Sequence, residues 1–253
     1  MSYLVLHKKE RQEKIILLLA KSGFLTTKSL AQKIGVTEVT IRRDLTELAK
    51  KNEVQKTFGG AKPNEKHLNI EFSTQQKINV NVPLKKQIGK KLAEIIPNNS
   101  TIFLGAGTTL LYSIEYLLDK NISFITNSVP AFERLASTTS RVLSTGGELH
   151  KNTGEFLGLL AERTFDGLNI DYALCSTNGI LDDNVTTSID TEGALQNKAI
   201  LHSKKTIIVA DHTKLDRSDL ITFRSLTNFD MLVTDNEIQP QLKNKYSKYT
   251  KIV

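Results

Sequence analysis

Short apolar segments recur through the last two thirds of this chain, and helix-like stretches separate them. Buried strands that alternate with amphipathic helices build a mostly parallel sheet with helices on both faces. The alternation therefore predicts an α/β domain over residues 85–253. The predicted strands are 101–104, 122–126, 142–144, 171–176, 206–210, 231–234 and 249–253, and the predicted helices are 85–96, 108–119, 129–137, 156–167 and 191–203.

A different pattern occupies the start of the chain, where helices are predicted at 8–21 (ended by Gly23), at 28–34 and from Thr37 to about residue 51. In the third helix Ile41, Leu45 and Leu48 form one buried stripe, because they are spaced i, i+4 and i+7. A tight turn at Gly35 and Val36 precedes it, and Thr37 is placed as its N-cap. This order predicts a helix-turn-helix that presents a face of Thr and Arg to the DNA major groove.

Residues 54–61 predict a strand, a tight turn at Gly59 and Gly60, and an exit, which together form the wing of a winged helix-turn-helix. Arg43 can pair bidentately with guanine, and Arg42 is expected to hold phosphate. For Asp44 an ion pair with a neighbouring Arg or Lys is favoured over a base contact. The candidate DNA-contacting residues are Thr37, Glu38, Thr40, Arg42, Arg43, Lys56 and Thr57.

The excess of positive over negative charge lies entirely in this first module. Residues 1–66 carry 14 Lys and Arg against 7 Asp and Glu, whereas residues 67–253 carry 20 of each, so the net charge of +7 lies in the first quarter. A basic module joined to a neutral one fits contact with the phosphate backbone by the first module alone. The expected partner is double-stranded DNA.

Residues 40–48 and 58–61 resemble the N-terminal signature of DeoR-type bacterial sugar-metabolism repressors. The resemblance rests on Thr-Ile-Arg-Arg-Asp-Leu at 40–45, on Leu48 and on Phe-Gly-Gly-Ala at 58–61. The family usually has a Gly before the wing, an Arg where Lys56 stands and a His where Phe58 stands. The resemblance implies a transcriptional repressor that binds operator DNA.

Polar, Gly-bearing segments follow the predicted strands, at the edge where ligands of parallel sheets bind. Glycines let backbone N–H groups approach an anion, and Ser and Thr hydroxyls at helix N-termini add donors. Lys214 would supply the compensating positive charge. These features together predict a site for a phosphate-bearing small molecule. The segments are 105–109, 126–128, 144–147, 176–179 and 211–214.

The same segments resemble the DeoR effector domain, which is similar in fold to ribose-5-phosphate isomerase and glucosamine-6-phosphate deaminase. The resemblance implies that Thr108 and Thr109 grip a sugar phosphate beside Lys214, while Asn127, Gly147, Asn178 and Glu192 meet sugar hydroxyls. It also implies a homodimer or homotetramer. The candidate effector-binding residues are Gly107, Thr108, Thr109, Thr126, Asn127, Gly146, Gly147, Asn178, Gly179, Glu192 and Lys214.

Within the family, residues 105–109, 146–148 and 153–154 are most similar to the lactose-phosphotransferase repressors, whose inducer is tagatose 6-phosphate. The family commonly has an Asp where Gly105 stands. Whether the sugar phosphate acts as inducer or co-repressor stays open. The expected organisation is a DNA-binding domain over residues 1–62, a connector over 63–84 and an effector-sensing domain over 85–253.

The main alternative is an isomerase- or deaminase-like enzyme fused to a DNA-binding module. It is disfavoured because the loop after the second strand offers Thr126, Asn127 and Ser128 but no carboxylate base. A dinucleotide fingerprint is disfavoured because Leu110 replaces its third Gly, and no P-loop sequence occurs. No cofactor or metal is expected, since His150, His202 and His212 lack ligand spacing.

Three simpler features of the sequence predict the cellular compartment of the protein. The single Cys175 lies in an apolar segment and fits a buried strand in a reducing environment. No apolar run approaches the ~20 residues of a membrane span, and residues 1–6 are too short for a signal-peptide hydrophobic region. The protein is expected to be cytoplasmic and not to bind membranes.

Overall fold

The computed structural model describes residues 8–22, 24–64 and 72–253. It divides the chain into two units, Met1–Phe72 and Ser73–Val253. Gly23, the predicted end of the first helix, and residues 65–71 of the predicted connector fall outside the described ranges. None of the helices in the described part of the chain has the length and apolar character that a bilayer span requires.

The first unit is a three-helix bundle with a small antiparallel sheet, in the strand order β1-β3-β2. The stripe of Ile41, Leu45 and Leu48 is buried, as predicted, and packs with Ile15 and Leu30 from the other two helices. Gly35 ends the second helix in the left-handed region at φ +81°. The elements are α1 (Lys8–Ser22), β1 (Leu25–Thr26), α2 (Thr27–Ile34), α3 (Glu38–Lys50), β2 (Val54–Thr57) and β3 (Gly60–Pro63).

The wing turn was predicted one residue too late. Phe58 and Gly59 form the turn, while Gly60 is already in β3, where it pairs with Thr57 and Thr26. A Cβ atom at Gly60 would lie 2.2 Å from the carbonyl oxygen of Leu25, so this glycine is required by the approach of β1. Strand β1 itself was not predicted.

The second unit is built on a seven-stranded sheet in which every pair is parallel, in the order β15-β14-β12-β9-β4-β5-β6. Its elements to β9 are α4 (Thr74–Ile78), α5 (Val82–Ile95), β4 (Thr101–Leu104), α6 (Thr108–Leu117), β5 (Ser123–Thr126), α7 (Val129–Ala136), β6 (Val142–Ser144), β7 (Glu148–His150), β8 (Glu155–Leu157), α8 (Leu159–Arg163) and β9 (Ile170–Ser176). They are followed by β10 (Gly179–Leu181), β11 (Asn184–Thr187), α9 (Asp190–Leu201), β12 (Ser203–Val209), β13 (Ile221–Ser225), β14 (Met231–Val233), α10 (Pro240–Tyr246) and β15 (Lys251–Ile252).

Both faces of this sheet are covered, as the alternating pattern predicted. In β4, Ile102 and Leu104 join one apolar core while Phe103 joins the other, because successive side chains of a strand point to opposite faces. The chain leaves β4 towards β5 and β6 on one side and then returns to β9 on the other. The sheet therefore has a topological switch point between β4 and β9, which is where ligands bind in folds of this type.

Two parts of the second unit differ from the prediction. Residues 156–167 were predicted as one helix, but Gly158 at φ +86° separates β8 from the short α8, and β8 forms a hairpin with β7. An antiparallel sheet in the order β10-β11-β13 was not predicted at all. Its strands β11 and β13 are joined over a long separation in sequence, with Asn184 opposite Ser225.

Cys175 lies in β9 and is fully buried, as predicted. Burial raises the pKa of its thiol to about 12. The thiolate, which is the reactive form of cysteine, is therefore negligible at neutral pH.

Candidate DNA-reading surface and effector site

The recognition helix α3 begins as predicted. Thr37 is extended at φ −74° and ψ 154°, and its hydroxyl accepts a hydrogen bond from the Thr40 amide at 3.3 Å. This bond satisfies one of the N–H groups that a helix start leaves unpaired. The hydroxyls of Thr37 and Thr40 also lie 3.0 Å apart, so both point to the same side of the helix start.

The two arginines of α3 face solvent, away from the buried stripe. Arg42 and Arg43 are exposed, and Arg42 Nη2 lies 3.5 Å from a carboxylate oxygen of Glu38 one turn earlier. An exposed pair at this spacing is worth only a few tenths of a kcal/mol, so phosphate can displace Glu38 from Arg42. The Thr and Arg face predicted from sequence is therefore available to a large partner.

Asp44 belongs to the interior of the unit and not to the DNA-reading face. It is almost fully buried, and its carboxylate pairs with Arg11 through Nε at 2.5 Å and Nη2 at 3.2 Å. Gln12 adds a longer contact at 3.5 Å. Asp44 forms an ion pair, as predicted, but the partner is Arg11 of α1 and not a neighbouring residue, so the pair fixes the recognition helix against the first helix.

The wing presents only part of what was predicted. Lys56 is exposed, and its ammonium donates to the Thr46 hydroxyl at 2.9 Å, which links β2 to α3. The hydroxyl oxygen of Thr57 is buried and has no hydrogen-bond partner within the described ranges. This hydroxyl is covered from solvent in the structure, and a DNA contact by Thr57 stays a prediction.

The effector candidates of the second unit begin at the switch point of the sheet. Gly107 has φ +129°, and a Cβ atom there would lie 2.6 Å from the Ser176 hydroxyl. The start of α6 has no side-chain cap, so its first N–H groups point out of the helix towards the sheet edge. Thr108 and Thr109 follow, both buried. The Thr109 hydroxyl has no partner among the residues that the structure describes.

Asn127 connects the next strand end to this helix start. Its side-chain oxygen accepts a hydrogen bond from the Ala106 amide at 3.0 Å, and its amide nitrogen lies 3.4 Å from a carboxylate oxygen of Glu155. Thr126 is also buried, but its hydroxyl donates to the Leu104 carbonyl at 2.7 Å. Asn127 therefore lies beside the loop that leads into α6, whereas the hydroxyl of Thr126 joins two strands.

Lys214 reaches the same edge from the end of β12. It lies on a 3-10 turn, His212–Lys214, whose cap is Asp211, and its ammonium donates to the Thr177 carbonyl at the end of β9. The turn is fixed from two sides. The Asp235 carboxylate accepts from the His212 amide at 2.7 Å, and the side-chain amide of Asn81 lies 3.2 Å from the Thr213 hydroxyl.

The remaining candidates lie in separate surroundings. Asn178 donates to Ser188 at 2.7 Å and to Asp219 at 2.9 Å, and the Glu192 carboxylate accepts from the Thr187 hydroxyl. Asn178 and Glu192 are therefore held by different partners, and both lie in the segments that follow β9.

Two of the candidate glycines are explained by packing alone. A Cβ atom would lie 2.7 Å from the Leu157 carbonyl oxygen at Gly147 and 2.6 Å from the Arg217 carbonyl oxygen at Gly179. At Gly146 (φ +59°) such an atom would have open space around it.

Sequence reasoning missed three groups at this edge, namely Asn81, Glu155 and Asp219. Each comes from a segment remote in sequence from the residue it holds, and Asn81 was assigned to the connector. One local signal was available for Asn81, because Asn adopts the left-handed region more readily than most residues other than Gly, and its φ is +56°. No group of three or more His, Cys, Asp or Glu able to hold a metal ion occurs in the described part of the chain.

Comparison with known proteins matches both units to one family. Residues 11–67 match the DeoR-like helix-turn-helix domain, and residues 80–236 match the DeoR C terminal sensor domain. The chain belongs to the DeoR family. The family and fold class predicted from sequence are confirmed.

The chain is similar to several curated members of this family over nearly its whole length. It is 33% identical to a lactose phosphotransferase system repressor of Lactococcus lactis subsp. lactis, over 98% of this chain and 99% of that protein. It is 31% identical to the protein of the same name from Streptococcus mutans, over 98% and 100%. With a helix-turn-helix, a sensor domain and such relatives, this DeoR-family chain is a sugar-responsive transcriptional repressor.

Solved structures with partial similarity include ribose 5-phosphate isomerase A from Methanocaldococcus jannaschii. It has a TM-score of 0.41 and 14% identity, over 53% of this chain and 55% of that one. The translation initiation factor eIF-2B of Pyrococcus horikoshii OT3 has a TM-score of 0.45 and 11% identity, over 92% and 91%.

Proposed function

We propose that this DeoR-family repressor senses a phosphorylated sugar at the switch point of its sheet, with the phosphate at the start of α6. The observation that carries the proposal is the buried hydroxyl of Thr109, which has no hydrogen-bond partner among the described residues and lies at a helix N-terminus without a side-chain cap. A buried hydroxyl without a partner is costly, and a bound anion there would satisfy it together with the free N–H groups.

Lys214 would neutralise the phosphate in this arrangement. Its ammonium already reaches the end of β9, the strand beside β4, and the Ser176 hydroxyl joins these strand ends by donating to the Ala106 carbonyl at 2.6 Å. Asn127 would orient the sugar, because its oxygen is held by the Ala106 amide next to the phosphate loop. Gly146, Asn178 and Glu192 would contribute only at a distance from the phosphate, if the sugar extends that far.

Among phosphorylated sugars we propose tagatose 6-phosphate first. The support is the similarity to relatives that are named lactose phosphotransferase system repressors. We further propose that the protein acts as a homodimer or homotetramer in the cytoplasm, where a helix-turn-helix finds its DNA. A dimer would place two recognition helices on two half-sites.

Coupling to DNA would run through α4, the helix at the start of the second unit. Its N-terminal end is held by Thr74, whose hydroxyl donates to the Thr153 carbonyl at 2.6 Å. Its C-terminal end is held by Lys85, whose ammonium donates to the Lys77 carbonyl at 2.6 Å. Lys85 also lies over the Tyr112 ring of α6, with Nζ 5.7 Å from the centroid. A shift of α6 on ligand binding would therefore reach α4.

The ligand can change DNA affinity only if it binds the DNA-bound and DNA-free arrangements with different affinity. Replacing Thr74 by Val should leave sugar-phosphate binding in place and reduce its effect on DNA affinity. Thr250→Val is the matched control, because that hydroxyl donates to the Phe229 carbonyl at 2.7 Å near β15. Equal coupling in both variants would exclude α4 as the route.

The effector proposal is tested by thermal unfolding of the full chain with a panel of phosphorylated sugars, the unphosphorylated sugars and inorganic phosphate. We expect tagatose 6-phosphate to raise the melting temperature and to change operator affinity. Thr109→Val should weaken binding without lowering stability, because it removes a hydroxyl that lacks a partner. Lys214→Met should also weaken it, while Lys204→Met, at the opposite end of β12, should not. If no phosphorylated sugar shifts the melting temperature, the proposed site is wrong.

We also propose that the sensor unit is not a catalyst. Glu155 is the carboxylate beside Asn127, and it is engaged with the side-chain amide of that residue. A base that abstracts a proton from a sugar carbon has to face the substrate directly. Solvent-proton exchange into hexose and pentose phosphates should therefore stay at the uncatalysed rate. Measurable turnover that Glu155→Gln abolishes would establish the enzymatic alternative.

A further inference from the structure

The tip of the wing carries an apolar ring with no cover. Among the large hydrophobic side chains in the described ranges, Phe58 is the most exposed, at 106% of its reference accessibility. The next most exposed, Val39, reaches 74%. Single exposed apolar residues are common on protein surfaces. Phe58 differs because its whole ring projects from the tip of a hairpin in the DNA-binding unit, where it can contact a partner of that unit.

The backbone beneath the ring is fixed. The Gly59 carbonyl accepts hydrogen bonds from the amide of Thr27 at 2.9 Å and from its hydroxyl at 3.2 Å. Thr27 is the first residue of α2, so the turn is tied directly to the helix-turn-helix. Gly60 packs against the Leu25 carbonyl with no room for a Cβ atom. The tip cannot fold back to bury Phe58 without breaking these contacts.

Positive charge surrounds the ring. Lys56 and Lys62 are exposed on the two strands of the wing. A groove of about 430 Å³ between the wing and the start of α3 is lined by Lys28, Arg42 and Lys56 among others. This charge pattern favours a phosphate backbone on either side of the tip over an apolar protein surface, which would leave the cations without partners.

We propose that Phe58 is an apolar wedge that enters the minor groove of the operator and partly unstacks one base step. The proposal rests on DNA binding by the helix-turn-helix. Apolar side chains inserted in this way bend the duplex, and the cost depends on the base step that is opened. Pyrimidine–purine steps open most easily. Phe58 would therefore make affinity depend on the identity of the unstacked base step, without a hydrogen bond to its bases.

The test uses the full-length protein and a duplex that the wild type selects from a random-sequence pool. Phe58→Ala should bind this duplex about tenfold more weakly, which is the scale of one lost aromatic contact to a base. It should also bend the duplex less in a circular-permutation assay. Phe58→Leu keeps an apolar wedge, so it should retain most of the affinity and most of the bending. The slope of affinity against salt should not change, since no charge is removed.

Leu201→Ala is the matched control, because Leu201 is a similarly exposed apolar residue at the end of α9 in the sensor unit. Thermal unfolding should be the same for all three variants and the wild type. If Phe58→Ala binds and bends the duplex as the wild type does, the wedge is wrong. The same holds if affinity falls while bending is unchanged, or if the variant changes only the oligomeric state. A wild type that selects no sequence would instead overturn sequence-specific DNA binding by the helix-turn-helix, and the wedge with it.

Discussion

The two units hold their polar groups in opposite ways. In the first unit Arg42 and Arg43 project into solvent from a helix whose other side is apolar. In the second, Thr109 and Asn127 are at most 2% exposed and lie at the end of a sheet. A surface that reads DNA presents charge to a large partner, whereas a site for a small anion needs donors removed from water. Substitutions on the reading face of the first unit should therefore change binding and leave stability unchanged, whereas substitutions that disturb the packing of the buried sheet edge in the second unit should lower stability as well.

Asp44 is the exception to this rule in the first unit, and we expect it to give the largest effect. Removing one partner of a buried ion pair leaves the other charge uncompensated, which typically costs about 3–5 kcal/mol. Asp44→Ala should therefore destabilise the first unit strongly and abolish DNA binding through unfolding. Hydrogen exchange of α1 and α3 amides would measure this. Glu38→Ala, which removes an exposed pair, is the control, and similar exchange in both variants would contradict the prediction.

Gly107 tests whether the sensor site is as tightly built as its burial indicates. Gly107→Ala should lower the stability of the second unit by roughly 2–4 kcal/mol, because backbone strain adds to the clash with Ser176. Gly146→Ala is the matched control, with positive φ but open space, and about 1–2 kcal/mol is expected. Calorimetry of both variants decides the point. Equal losses of stability in the two variants would mean that the backbone around Gly107 can move away from Ser176 to accommodate the added methyl group.

Arg43 tests the converse expectation, that an exposed reading residue affects binding alone. Arg43→Ala should leave thermal unfolding unchanged and weaken operator binding, with ~1–3 kcal/mol of the loss dependent on base sequence if Arg43 reads a guanine. The measurement is a titration on the selected duplex and on random DNA. An equal loss on both would reject base reading and leave Arg43 as a phosphate contact.

The smallest effect is expected at the amino end of the sheet. Lys204, and then the Thr101 amide, hold the pKa of Asp171 below its usual value. Because the folded pKa is depressed, this contribution to stability is present above the unfolded value near 3.8 and is lost as pH falls through the folded one. Asp171→Asn should therefore flatten the acid side of the melting-temperature profile below about pH 4. Sugar-phosphate affinity should not change in this variant. A changed affinity would show that the amino end of the sheet influences the proposed effector site at its carboxyl end.

Local patterns were sufficient for most of the fold. The spacing of Ile41, Leu45 and Leu48 and the cap at Thr37 determine α3, and both depend only on residues within a few turns. Strand β4 and the edge strand β6 were predicted with their observed bounds. Their apolar runs are short, and polar loops bound them on both sides. Such elements are specified by the residues they contain.

The errors occur where distant segments decide the structure. β13 joins β11 across a long separation in sequence, and nothing within residues 184–187 indicates that partner, although the hairpin of β10 and β11 is local and was also missed. Residues 156–167 carry apolar residues at helix-like spacing, but Gly158 breaks the run and β7 pairs with its first part. The same limit applies to the site. The positions of Thr109 and Asn127 followed from strand ends, while Asn81 and Glu155 arrive through tertiary contacts.

The strand order also sets a sequence of events during synthesis. All residues of the first unit precede residue 73, whereas the switch point needs β9 and the turn that carries Lys214. A ribosome therefore delivers the DNA-reading residues well before the segments of the proposed effector pocket are complete. A chain interrupted after β6 would keep the reading helix and lack half of the pocket, so we expect nonsense mutations in the second half to yield products that no sugar phosphate can control.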